Sequence, residues 1–136
     1  KDYAASGMLR CDKTHLREVL NNLLRNAFEA MPSQGGHLRL STDFGSSGLL
    51  IMIADNGCGI AKENRSRVFN PFFSTKKGSL HYGMGLSYCE AVMRKHGGRI
   101  EVRWSEPGRG TIMQLVFPHG RFMPASRSAS LPFIAQ

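Results

Sequence analysis

Apolar positions along this chain follow two periods. From residue 12 to 31, DKTHLREVLNNLLRNAFEAM, the residues Leu16, Val19, Leu20, Leu23, Leu24, Ala27 and Ala30 recur every three or four positions, which predicts a long amphipathic helix. Asp12 or Thr14 is placed to cap its start, and Pro32 stands just past its end. After the PSQGG turn the period shortens to two. His37-Leu38-Arg39-Leu40-Ser41-Thr42 alternates, Leu49 to Ala54 is a continuous apolar run, and DFGSSG between them reads as a hairpin connection. A short helix near Ala61 to Phe69 and the irregular stretch NPFFSTKKGSLHYG come next. A second long helix runs from about Met84 to His96 and is closed by Gly97-Gly98. Strands at Arg99 to Trp104 and Thr111 to Phe117 flank the turn SEPGRG, and Met8 to Cys11 offers one edge strand.

Two consecutive hairpins interleaved with helices require a mixed rather than a wholly parallel sheet. The expected architecture is an α/β sheet covered on one face by helices. The domain spans 1–118, and the Ser-, Ala-, Pro- and Arg-rich stretch 119–136 reads as a C-terminal extension or linker. A chain of 136 residues suffices for one core. Its 41% hydrophobic and 21% charged content is that of a soluble globular protein.

No apolar run approaches the roughly 20 residues that cross a bilayer, and Lys1-Asp2-Tyr3 does not open a signal peptide. Cys11, Cys58 and Cys89 are odd in number and lack a C-x-x-C spacing, which argues against a disulfide framework or a zinc site and for reduced thiols in the cytoplasm. The net charge of +8 suits an anionic partner. Its basic residues are scattered rather than set in one tract with interleaved aromatics, which speaks against nucleic acid.

Four stretches carry candidate chemistry. Asp55 sits at the mouth of the apolar strand, followed by Gly57 and Gly59. A carboxylate there can accept a hydrogen bond from an exocyclic amine while a flat base lies against the glycine turn, although Asp-Asn-Gly also makes an ordinary turn. Asn22 and Asn26 lie one turn apart on the face of the first helix opposite its core leucines, with Glu18 a turn before and Glu29 nearly a turn after. Amide oxygens suit Mg²⁺, and asparagines in a helix are also commonly just solvated. GSLHYGMGL, from Gly78 to Leu86, puts glycines at the start of a helix whose N–H groups and dipole favour phosphate oxygens. It matches neither a Walker loop nor the dinucleotide fingerprint. NPFFSTKK exposes Phe72 and Phe73 beside Lys76 and Lys77, as a lid over a ligand would, or else the two phenylalanines plug the core.

In order, NNLLRNAFEA, DNGCGI, VFNPFFSTK, GMGLS and GGRIEVRWSEPGRGTIMQLVFP closely resemble the N, first glycine, F, second glycine and third glycine boxes of a sensor histidine kinase. The match covers roughly residues 8 to 118. The chain is similar to the catalytic, ATP-binding domain of such kinases, in the superfamily that includes gyrase B and the heat-shock chaperone and mismatch-repair ATPases. The resemblance implies a Bergerat-type two-layer α/β sandwich, with a mixed sheet of about five strands and three helices on one face.

By position, the resemblance gives Asp55 the adenine amine and gives Gly57 and Gly59 the shape of the base pocket, with Ile60, Phe69, Met84 and Leu86 beside the nucleotide. The resemblance likewise implies that Asn26 coordinates Mg²⁺, Asn22 supports the metal or orients the phosphates, Gly83 and Gly85 contact the triphosphate, and Thr111 reaches adenine through water. Lys76 is the candidate for the terminal phosphate, and Glu18 or Glu29 for a base or an orienting group. Ser87 stands where many members carry a third glycine.

None of His15, His37, His81, His96 or His119 has the H-E-x-x-x-P context of the family's phosphoacceptor, so this chain is expected to bind ATP without phosphorylating itself. The acceptor histidine then belongs to a separate dimerisation domain, and the phosphate passes on to a response regulator. The isolated domain is expected to be monomeric and its parent a cytoplasmic or inner-membrane-anchored homodimer. The alternatives are an anti-sigma serine kinase of the same superfamily, an inactive ATP-binding interaction module and a basic nucleic-acid-binding domain.

Overall fold

Helix α1 (Lys13–Ala30) forms where the apolar spacing puts it. Asp12 is the cap, its Oδ1 accepting the His15 N–H at 2.9 Å. The chain turns extended at Met31, as it must ahead of Pro32. The structure is a computed structural model that describes residues 2–3, 5–74 and 85–125. Helix α2 (Gly85–Lys95) runs antiparallel to α1, with Cys89 against the Val19 carbonyl and Gly85 against Asn22.

Both helices cover one face of a five-stranded sheet. Its strands are β1 (Asp2–Tyr3), β3 (Leu38–Gly45), β4 (Gly48–Asp55), β5 (Arg99–Glu106) and β6 (Gly110–Phe117), in the order β1-β3-β4-β6-β5. β1 pairs parallel to β3 and every other neighbour is antiparallel, so the sheet is mixed as expected. A separate antiparallel ribbon joins β2 (Gly7–Leu9) to β7 (Phe122–Pro124).

Alternation decides which side chains meet the helices. Leu49 and Ile53 of β4 and Met113, Leu115 and Phe117 of β6 pack with Val19, Leu23 and Ala27 of α1 and with Cys89, Val92 and Met93 of α2. Continuing the same parity, Asp55 and Thr111 also belong to the helix-facing side, at the end of the sheet, and they are direct register partners. Leu115 is fully buried at the centre of this core. Leu115→Ala is expected to lower stability by about 2–5 kcal/mol, read as a lower urea midpoint at unchanged slope.

His96 ties the helices together. Its Nδ1 lies 2.8 Å from the Val92 carbonyl, and its Nε2 accepts the Asp12 N–H at 2.9 Å. The ring therefore carries its hydrogen on Nδ1 and joins the end of α2 to the cap of α1. His15 belongs to α1, and His119 bonds the Ser46 carbonyl at 2.8 Å.

Two expectations need correction. Among the described residues there are two α-helices rather than three. The stretch 61–69 is a single 3-10 turn, Lys62–Asn64, followed by tight turns. Its backbone closes mainly by three-residue bonds, such as Arg67 N–H to Asn64 and Asn70 N–H to Arg67, with a four-residue bond from Val68 N–H to Asn64, and Asn70-Pro71 stops any extension. The chain also does not leave the core at Pro118. Phe122 is buried against it and tilts onto Phe44 with ring centroids 5.0 Å apart. Arg10 N–H bonds the Arg121 carbonyl at 2.7 Å, so the ribbon extends the fold through Pro124.

Candidate functional site

Asp55 ends β4 half-buried. Its Oδ1 accepts the Gly57 N–H at 2.8 Å, and the Thr111 N–H also bonds the carboxylate. Loss of solvent pushes its pKa above the ordinary carboxylate value, and the two backbone donors only partly counter that shift. A carboxylate offers about four lone-pair sites, and two donors leave acceptor capacity for a ligand.

The loop after Asp55 is clamped on both sides. Cys58 N–H bonds the Ala30 carbonyl at the end of α1 at 2.9 Å, and Gly108 N–H bonds the Cys58 carbonyl at 2.8 Å. Only glycine fits at two points. A Cβ on Gly57 would sit 2.6 Å from the Ala30 oxygen, and Gly59 combines φ +72° with a Cβ position 2.2 Å from the Glu106 oxygen. Asn56 faces the other way, accepting the His37 N–H at 2.7 Å and donating to the Gly35 carbonyl at 2.9 Å. Ile60 is held through its N–H, 2.8 Å from Ser105 Oγ.

The asparagine face of α1 adjoins this loop, because Asn26 lies one turn before Ala30. Asn22 and Asn26 are both half-buried. The Asn22 amide oxygen stands 3.3 Å from where a Cβ on Gly85 would be, which brings the start of α2 against the asparagines. Nearby, Glu18, Asn21, Asn22, Arg25 and Tyr88 line an open cleft of about 320 Å³, within the range of small-ligand sites. Tyr88 donates its hydroxyl to Glu18, and that bond pushes its pKa up to about 12. Glu18 is thus already engaged by a neighbour.

Thr111 is buried, its hydroxyl 2.9 Å from Ser105 Oγ. Phe69 and Leu86 are partly buried against the core. Phe72 does not plug the core, being exposed at a φ of +65°. Phe73 lies under the Arg67 guanidinium at 4.9 Å. Lys76, Lys77, His81, Gly83 and Met84 lie outside the described residues.

Sequence reasoning did not single out Ser105, Arg65 or Tyr88. Arg65 bonds the Ser105 carbonyl, anchoring the 3-10 turn to β5. Their signal in the sequence is slight, since a lone serine, arginine or tyrosine near a turn is commonplace.

The three cysteines carry free thiols in unlike settings. Cys58 is exposed on the clamped loop, whereas Cys89 is fully buried and desolvation pushes its pKa up to about 12. A thiol reagent is expected to modify Cys58 in the native protein and to spare Cys89 until unfolding. Peptide mass spectrometry after a timed reaction checks this, and equal labelling rates would contradict it.

Comparison with known proteins is consistent with this geometry. Residues 11–121 match the model of the histidine kinase-, DNA gyrase B- and HSP90-like ATPases. The chain belongs to that ATPase family. This ATPase-family domain is 36% identical to sporulation kinase C of Bacillus subtilis (strain 168) over 112 residues, 82% of this chain and 25% of that protein. It is also 36% identical to the signal transduction histidine-protein kinase AtoS of Escherichia coli (strain K12) over 111 residues, 81% of this chain and 18% of that protein. The domain therefore spans a quarter or less of these two relatives.

Among solved structures, a mycobacterial sensor histidine kinase, MprB, superposes with a TM-score of 0.79 at 27% identity, over 92% of this chain and 84% of that one. Full-length ShkA in complex with AMPPNP matches at a TM-score of 0.75 and 26% identity, over 91% of this chain and 26% of that one. The ATPase-family domain is homologous to the catalytic domains of sensor histidine kinases. Among its described residues no helix is long and apolar enough to cross a membrane.

Proposed function

We propose that this domain binds ATP and supplies its terminal phosphoryl group to a histidine on a separate dimerisation domain of the same sensor kinase, from which it passes to an aspartate of a response regulator. The observation that carries the reading is Asp55, a half-buried carboxylate at a strand end with acceptor capacity to spare, beside a loop clamped by Gly57 and Gly59. The adenine amine is its natural donor. The AMPPNP bound to ShkA and the kinase names of the relatives favour the same assignment.

The phosphates would extend from the base along the asparagine face towards Gly85, where the first turn of α2 favours anionic oxygen. Asn26, supported by Asn22, offers the neutral oxygen donors that magnesium accepts, and both side chains lie on one face of α1. Bound there, the ion supplies charge neutralisation across the phosphates. The chain's own residues do the positioning. Asp55 fixes the base, the clamped loop fixes Asp55, and α1 and α2 fix the phosphate end. Lys76, Gly83 and Met84 complete the site in this reading, with Lys76 on the terminal phosphate.

No observation favours the serine-kinase or inactive-module alternatives. The isolated domain is proposed to be a cytoplasmic monomer that works within a dimeric parent, itself cytoplasmic or anchored in the inner membrane. Calorimetry with ATP and magnesium tests binding. Incorporation of labelled phosphate into the parent's dimerisation domain, mixed with this one, tests transfer. Absence of nucleotide binding would end the reading.

A further inference from the structure

β5 contains a register shift between Val102 and Trp104, a bulge that inverts the alternation of the strand. Ile100 is buried on the helix side, and unbroken alternation from Ile100 through Val102 would send Trp104 inward and Ser105 outward. Instead Trp104 is 39% exposed and Ser105 is 1% exposed. The bulge thus re-aims a small hydroxyl into the place where a large aromatic would otherwise go, directly opposite Thr111.

Four groups converge on the buried serine. Ile60 N–H donates to its Oγ at 2.8 Å, the Gly110 carbonyl lies 3.0 Å away, and the Thr111 hydroxyl lies 2.9 Å away. Arg65 holds its carbonyl. A hydroxyl has one hydrogen and two lone pairs. All of its bonds are satisfied together when Ser105 donates to Gly110 and accepts from both Ile60 N–H and the Thr111 hydroxyl. Thr111 has then spent its own hydrogen, and its remaining lone pairs can only accept.

We propose that Ser105 is a specificity-determining positioning residue, which fixes Thr111 as an acceptor toward the ligand and so selects 6-amino purine nucleotides over 6-oxo ones. The inference rests on the ATP reading above and deepens it. A ligand group in direct contact with Thr111 can meet it only by donating. The 6-amino edge joins an amine donor to an unprotonated ring nitrogen, and the 6-oxo edge reverses both. A site whose buried polar groups are fixed in one sense rejects the reversed pattern by leaving groups unpaired.

The test compares ATP with inosine triphosphate, with magnesium, by calorimetry on the 136-residue chain and its Ser105→Ala variant. Expected is a narrowing of the ATP-to-inosine-triphosphate preference by about tenfold, the scale of one neutral hydrogen bond, because Thr111 regains a hydrogen to donate. Equal weakening of both nucleotides, or no change in either, would overturn the proposal, since a mere structural prop does not alter the ratio. Asp55→Asn is the control. A ratio that changes there but not in Ser105→Ala sinks this inference alone, while a ratio unmoved in both sinks the adenine assignment itself. Should Ser105→Ala fail to fold by circular dichroism, Ser105→Cys carries the same readout, since sulfur is a weak acceptor for the Thr111 hydroxyl: a narrowed ratio supports the role and an unchanged one refutes it.

Discussion

Asp55→Asn is expected to weaken ATP binding by about 10- to 150-fold, the 1.5–3 kcal/mol typical of a hydrogen bond to a charged group. The amide keeps the volume and one oxygen, but it loses the charge and sets an NH₂ among the Gly57 and Thr111 N–H donors and the incoming amine. Calorimetry at neutral pH reads the loss, and equal affinity would discard the role. A pH series sharpens it. Burial raises the Asp55 pKa in the ligand-free fold, so the folded chain holds more protons than the unfolded one between the ordinary carboxylate value and the raised one. Across that window the contribution of Asp55 to stability falls as pH rises. ATP affinity runs the opposite way, because the amine needs the ionised carboxylate, and it declines as pH drops through the raised pKa. Both slopes should flatten in the asparagine variant.

Asn26→Ala should leave base recognition intact and abolish most phosphoryl transfer. Removing one group that holds developing charge in place costs on the order of 100-fold in rate, and phosphoryl transfer leans almost wholly on such placement. ATP binding without magnesium is expected to match the unaltered domain, while the gain in affinity on adding magnesium shrinks. Transfer to the dimerisation domain, followed by labelled phosphate, should drop by about that factor. Unchanged transfer would remove Asn26 from the metal role.

Much of this fold was readable from period alone. Leu16 to Ala30 marked α1, and the runs at 38–42, 49–54, 99–104 and 111–117 each became a strand of the main sheet. What escaped was governed by contacts distant in sequence. Ser105 fell in the expected turn SEPGRG rather than in the strand, because a bulge cannot be seen in a run whose partner strand is unknown. The edge strand expected at Met8 to Cys11 overlaps β2, but its partner β7 lies more than a hundred positions away in a three-residue segment too short for any period to register. The 3-10 turn at 62–64 failed to lengthen because Asn70 and Pro71 favour a turn over a continued run of fourth-residue bonds. For the candidate site, the ordered motifs pointed to Asp55, Gly57, Gly59 and Thr111, and the structure makes Asp55 and Thr111 register partners. The engagement of Glu18 by Tyr88 was not, since the two are 70 positions apart.

The imidazole of His96 has a mechanical corollary. It rivets the last turn of α2 to the first turn of α1, and near the other end of α2, where Gly85 meets Asn22, the Tyr88 hydroxyl bonds Glu18. A rod of 11 residues is about 16 Å long, and the two fastenings brace most of it. The two helices thus present the asparagine face as one braced unit.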